Sequence, residues 1–168
     1  VLNGGDINDN PHHVPSRYVI HFDERSQGES EKFPDLWNIV LREAFPERSA
    51  KDPVKYPRMV NEWWKFWNNC QALHKEKGKL RRTLVRTRIS DLHMMAFVPT
   101  NYVYTNEVIV FAFDDGYHFA ALQSSIHESW VARNASTMRT DIRYTPTDCF
   151  ETFPFPDHPD KYLIDQAN

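Results

Sequence analysis

The sequence has little cysteine and little glycine. Cys70 and Cys149 are the two cysteines, too few for a disulfide framework or a cysteine-rich zinc module, and their scarcity favours a reducing compartment. Eleven prolines against five glycines predict stiff loops. No apolar run approaches the roughly 18 residues that a membrane helix needs, and the longest, residues 108–113, has the length of a strand. With no signal peptide, the 168 residues predict one ordinary cytoplasmic domain without membrane contact.

Charge is balanced overall but unevenly placed. The net charge is −3, yet residues 75–88 (KEKGKLRRTLVRTR) hold seven basic residues and one acidic residue. A concentrated basic stretch can dock a polyanion locally. A run of charges can equally be a solvated loop without a partner, so composition leaves both alternatives open.

Motifs for catalysis are missing. There is no phosphate-binding Walker loop, no dinucleotide-binding glycine pattern and no nucleophile elbow. His127-Glu128 resembles the start of a zinc-protease helix, but Val131 stands where the second histidine belongs. Asp114-Asp115 lies between a predicted strand and a predicted helix, where a helix cap is a better interpretation than a metal site. We therefore expect no catalytic residue, no metal and no cofactor in this segment.

Hydrophobic periodicity predicts an α+β domain with a mixed, mostly antiparallel sheet and about three helices packed on it. Residues 1–16 are polar and aperiodic, which predicts an extended tail or linker. Strands are predicted over Arg17–Phe22, Leu80–Ser90, Met95–Val98, Glu107–Phe113 and Met138–Tyr144. Helices are predicted over Pro34–Pro46, Met59–His74 and Tyr117–Asn134, the last capped by Asp114 or Asp115.

A recognition surface is the remaining possibility. Along the predicted strand Met138–Tyr144, one face carries Arg139, Asp141 and Arg143. Arginine can bind guanine through two hydrogen bonds, and aspartate can accept one from cytosine. The Arg86 and Arg88 face of the predicted strand Leu80–Ser90 could serve the same surface or bind phosphates. The alternative is a surface ion-pair ladder of little energetic value.

Several segments together resemble one family. They are GGDIN, SRYVIHF, FPDLWNIV, WWKF, RTLVRTRIS, MMAFVPTN, VIVFAFDD, FAALQSSIHESWV and MRTDIRYTPTDCFETFPFP. This set resembles the target recognition domain of MmeI-like enzymes, over about Pro15–Pro156. Those enzymes are large bacterial single-chain DNA adenine methyltransferases, often fused to a restriction nuclease.

The resemblance implies a division into three segments and a division of labour. Residues 1–16 would be the linker from an upstream methyltransferase domain, 17–156 the target recognition domain, and 157–168 the start of a helical tail. The upstream domain would carry the catalytic motif, bind S-adenosylmethionine and flip out the adenine. This segment would clamp double-stranded DNA, with phosphate contacts from Lys79, Arg81 and Arg82 and base contacts near the strand before RYT.

Two other classes of function stay open. One is a protein-interaction module that docks through the tryptophan-rich helix, which joint exposure of Trp64 and Trp67 would favour. The other is a small metal-dependent nuclease that uses Asp114, Asp115 and Glu128.

Overall fold

The computed structural model describes residues 1–67, 70–138 and 141–155. Over these residues the predicted α+β class is confirmed, with nine helices and two three-stranded antiparallel sheets. The chain divides into two compact units. One comprises residues 1–18 and the described residues from Ala72 onward, and the other comprises Val19–Gln71. In the described part, no helix is long and apolar enough to cross a bilayer.

The unit Val19–Gln71 is helical. Its helices are α2 (Gln27–Ser30), α3 (Pro34–Glu43), α4 (Phe45–Ser49) and α5 (Pro57–Asn61). Pro34 opens α3 at a position where a missing N–H costs nothing, as predicted. The core of the unit is aromatic: Phe22, Trp37 and Trp63 are buried together, and the rings of Trp37 and Trp63 lie 4.9 Å apart.

Two expectations fail in this part of the chain. Arg17–Phe22 is irregular rather than a strand, and the burial of Phe22 against Trp37 accounts for its apolar character. The continuous helix Met59–His74 is also wrong, because α5 ends at Asn61 and α6 spans Gln71–Lys77. Between them Trp63 turns into the aromatic core and Cys70 takes a φ of 45°, which a continuous right-handed helix does not allow.

The other unit is built on a three-stranded sheet of β1 (Arg82–Thr87), β3 (Ala96–Pro99) and β4 (Val108–Phe111). The central strand is β1, and both neighbours pair antiparallel to it. Both faces of β1 are buried, since Leu84 packs into one apolar cluster and Val85 into another. Hence no face of β1 is left for solvent.

The first residues are part of this unit and not an extended tail, which corrects the expectation for residues 1–16. Helix α1 (Gly4–Asn8) begins at a reciprocal cap between Asn3 and Asp6. Leu2 and Ile7 pack on the Val85 side of the sheet, in one cluster with Val98 and Val108. The assignment of this segment as a linker to another domain stays a prediction.

The predicted helix Tyr117–Asn134 is two helices, α7 (Gly116–Gln123) and α8 (Ser125–Asn134). Ser124 has an extended backbone and caps α8 by accepting a hydrogen bond from the His127 N–H. Asp115 caps α7 in the same way, as one of the two predicted alternatives. A short helix, α9 (Pro146–Cys149), follows the last strand.

The second sheet consists of β2 (Ile89–Ser90), β5 (Ser136–Met138) and β6 (Asp141–Arg143). Its central strand is β6, with β2 on one side and β5 on the other. The predicted single strand Met138–Tyr144 is therefore wrong: its two halves belong to antiparallel partners, with Met138 opposite Asp141. We call the pair β5–β6 the ribbon.

Candidate functional site

The ribbon has one face on the core and one face outward. Ile142 packs against the apolar cluster that contains Leu84 and Tyr144. Because side chains alternate along a strand, Asp141 and Arg143 point the other way. The sequence assigned these two residues to one face correctly.

Cross-strand pairing adds residues to this outward face. Ser136 and Ile89 lie opposite Arg143 on the two neighbouring strands, and Met138 lies opposite Asp141. Directly opposed side chains in an antiparallel pair share a face. Met138, 52% exposed, was predicted to share the face of Ile142, and the change of strand between them places it with Asp141 instead. Arg139, the third predicted reader on this segment, lies outside the described residues.

Arg86 is not at this surface, which corrects its assignment as a base reader. Its side chain is 2% exposed and lies on the Leu84 side of β1, so it points into the core. The guanidinium carbon stands 4.1 Å from the centre of the Tyr144 ring, and Nε donates to the Thr87 carbonyl at 3.2 Å. Burial lowers the pKa of Arg86 to about 10, so the side chain remains charged at neutral pH.

Tyr144 connects Arg86 to a buried histidine. The Nδ1 of His127 lies 2.8 Å from the Leu122 carbonyl, which can only accept, so Nδ1 carries the proton. Nε2 then accepts from the Tyr144 hydroxyl at 3.3 Å. Burial lowers the pKa of His127 to about 4, which keeps the ring neutral in this arrangement. No sequence motif indicated this cluster, since its members come from three separate segments.

The remaining basic candidates differ in what they contact. Arg81 is the most open, with 83% of its side chain exposed and Asp114 at 3.9 Å. Lys79 forms an exposed ion pair with Glu76 at 2.7 Å. Arg82 is half-buried over the Phe97 ring at 3.7 Å, so it has less reach than an exposed side chain.

Arg88 is one of the residues that line a cavity of about 420 Å³. It donates from Nε to the Asn106 carbonyl at 2.8 Å. The cavity is also lined by Gly4, Thr87 and Glu107, and the Glu107 carboxylate accepts from the Gly4 N–H at 3.2 Å. Arg88 is therefore partly exposed at the start of the second sheet, and the Glu107 carboxylate lines the same cavity.

Neither alternative class gains support from the geometry. Trp67 is 46% exposed, but Trp64 is half-buried, packs on Trp37 and donates to the Arg25 carbonyl at 3.1 Å. The joint exposure that would favour a docking face is thus not observed. Over residues 1–67, 70–138 and 141–155, no group of three acidic, histidine or cysteine residues is arranged to hold a metal ion.

The family described as "MmeI, target recognition domain" matches residues 12–157. No curated protein matches the chain. A solved structure of the type IIL restriction-modification enzyme MmeI in complex with DNA is similar, with a TM-score of 0.75 and 18% sequence identity. The similarity covers 98% of this chain and 21% of that one, so the chain spans about a fifth of the length of that relative.

Proposed function

Because this chain belongs to the family of MmeI target recognition domains, we propose that it is the DNA sequence-recognition domain of a site-specific DNA methyltransferase. The family match over residues 12–157 carries this proposal. The similar fold occurs in a restriction-modification enzyme that was solved with DNA, which supports double-stranded DNA as the partner.

The ribbon is the element that we assign to base reading. The major groove of DNA admits a two-stranded β-ribbon, and the outward face of this ribbon presents Asp141 and Arg143. An arginine reads guanine through two donors, and a carboxylate accepts from the amino group of cytosine. Arg139 and Arg88 stay candidates for neighbouring base positions.

Phosphate contacts fix the register of such a domain on DNA, and base contacts fix its sequence. We assign phosphate binding to Arg81 first, because it is the most exposed of the predicted set, and then to Lys79. Arg82 is a weaker candidate because its guanidinium lies on Phe97.

We infer that the chain acts within a longer bacterial protein in the cytoplasm. In that protein an upstream domain would bind S-adenosylmethionine and methylate adenine at N6. No residue of this chain is assigned to the cofactor or to the chemistry. This chain would determine which DNA sequence is bound, and the upstream domain would methylate the adenine.

The test is selection of DNA sequences by the full chain. The chain is incubated with a library of randomised duplexes at low salt, bound DNA is sequenced over several rounds, and a preferred site is derived. Arg143→Ala should then relax one base position by about 5- to 150-fold, which corresponds to about 1–3 kcal/mol. Arg81→Glu should weaken binding to all sequences alike and reduce the salt dependence.

Arg42→Ala is the matched control, because Arg42 is an exposed arginine of the other unit. It should change neither affinity nor preference. A wild-type chain that enriches no sequence would contradict the proposed function. A preferred site that Arg143→Ala leaves unchanged would contradict only the assignment of the reader.

A further inference from the structure

Arg86 brings a positive charge into the core without a carboxylate partner in the described part of the chain. Its Nη1 has no hydrogen-bond partner among the described residues. Buried charges that are incompletely satisfied do not repay their desolvation, and apolar side chains of similar volume often stabilise a fold as well or better. Stability alone therefore does not explain an arginine at position 86. Its contact with the Tyr144 ring indicates a role in positioning Tyr144.

Tyr144 is held at three points. Arg86 lies over its ring at 4.1 Å, and its hydroxyl donates to His127 Nε2 at 3.3 Å. Its backbone N–H donates to the Arg88 carbonyl at 2.8 Å. These anchors come from β1, from α8 and from the residue between β1 and β2, so Tyr144 is fixed relative to both sheets.

Tyr144 directly follows the outward-facing Arg143 at the end of β6. A shift or rotation of Tyr144 moves the backbone of its neighbour, because the two residues share a peptide plane. Hydrogen bonding to a base edge needs the donor to be held within about 0.5 Å and 10–20° of its productive geometry. By fixing Tyr144, its core contacts also fix the backbone of Arg143 and therefore the direction in which the Arg143 side chain points outward.

We propose that Arg86, Tyr144 and His127 form a clamp that fixes β6 and so sets the direction from which Arg143 and Asp141 meet DNA. The three are positioning residues, since all of them are buried and lie out of reach of a DNA molecule bound at the surface. The inference rests on the proposed function and adds to it a set of buried residues that determines sequence selectivity.

Two variants loosen the clamp in different ways. Tyr144→Phe removes the hydrogen bond to His127 and keeps the ring. Arg86→Met removes the cation over the ring and fills the same space with apolar atoms. Val98→Ala is the control, because it creates a cavity in the cluster on the other side of the sheet, away from Tyr144. Melting temperature and the ratio of affinities for the selected and a scrambled duplex are measured for each.

The clamp and a merely structural role predict different outcomes. If the clamp positions β6, selectivity falls by about 3- to 10-fold in Tyr144→Phe, the equivalent of one hydrogen bond. It falls in Arg86→Met as well, whatever that variant does to the melting temperature. Val98→Ala melts lower but keeps its selectivity. Arg86→Lys, unlike Arg86→Met, keeps a cation over the Tyr144 ring, so it retains most of the wild-type selectivity.

A second readout needs no DNA. Amide hydrogen exchange at Ile142, Arg143 and Tyr144 is measured under native conditions, and we expect it to be several-fold faster in Tyr144→Phe than in Val98→Ala. Unchanged exchange and unchanged selectivity in both clamp variants would overturn the clamp and leave the proposed function intact. If the wild-type chain selects no sequence, the proposed function fails, and the exchange rates alone decide whether the clamp holds β6.

Discussion

Replacing Leu2 by alanine is a direct test of whether the first residues belong to the fold. Leu2 is 0% exposed and shares an apolar cluster with Ile7 and Val85. Its N–H donates to the Val103 carbonyl at 2.8 Å, and its carbonyl accepts from the Thr105 N–H at 3.0 Å. These bonds hold the backbone in place, so the cavity left by a shorter side chain closes only in part.

The magnitude follows from the burial. A buried leucine replaced by alanine costs about 2–5 kcal/mol, from lost transfer energy and the remaining cavity. Because Leu2 is fully enclosed and its backbone is anchored, we expect a value in the middle of that range, about 3 kcal/mol. A domain of ordinary stability unfolds with about 5–15 kcal/mol, so the loss is a large part of the total.

The assay is urea unfolding followed by circular dichroism. The midpoint should fall while the slope with urea stays the same, which separates lost stability from a changed folded state. Val14→Ala is the control in the same segment, because Val14 is 50% exposed, and it should stay within about 0.5 kcal/mol of the wild type. A Leu2→Ala variant as stable as this control would refute the packing of the first residues as described.

Three further predictions concern His127, the cap of α7 and the aromatic core. Burial lowers the pKa of His127 from 6.5 to about 4, so the unfolded chain binds a proton at this histidine more strongly than the folded chain does. The free energy of unfolding should therefore be highest above pH 6.5 and should decrease by up to about 3 kcal/mol as the pH falls towards 4. Urea titrations across that range should show a shallower pH dependence in His127→Gln. Asp115→Ala removes the cap of α7 and should cost about 1 kcal/mol, whereas Asp115→Asn should cost less, by the same measurement. Trp37→Ala should cost about 3–5 kcal/mol and Trp67→Ala far less, because Trp37 is in the aromatic core and Trp67 is half exposed; equal losses in thermal unfolding would contradict that core.

Local sequence specified much of the secondary structure. Pro34 and the apolar spacing after it placed α3, and Asp114-Asp115 offered two candidate caps for α7, of which Asp115 is the cap in the structure. The β-branched run around Val85 placed β1, and the segments that resemble the target recognition family indicated the same function as the family match. These signals are short-range, because caps and strand alternation depend on residues a few positions apart.

The roles of the arginines were decided by the tertiary structure. Arg86 and Arg143 both lie in strands with alternating patterns, yet one is buried and the other faces outward. The sequence could not show that both faces of β1 are covered, because the covering segments, α1 on one side and Tyr144 on the other, are distant in the chain.

By itself, the sequence determined the α+β class, the three strands of the first sheet, two candidate caps for α7 and the family to which the chain belongs. Only the tertiary structure decided that residues 1–8 pack as core, that the segment around Met138 changes strand, and that Asp141 and Arg143 share a surface with Ser136. The physical reason is that burial depends on what other segments cover. Leu2, Trp63 and Arg86 are buried by segments that are distant in the sequence. The local pattern around them predicted a tail, a continuous helix and a solvent-facing strand face instead.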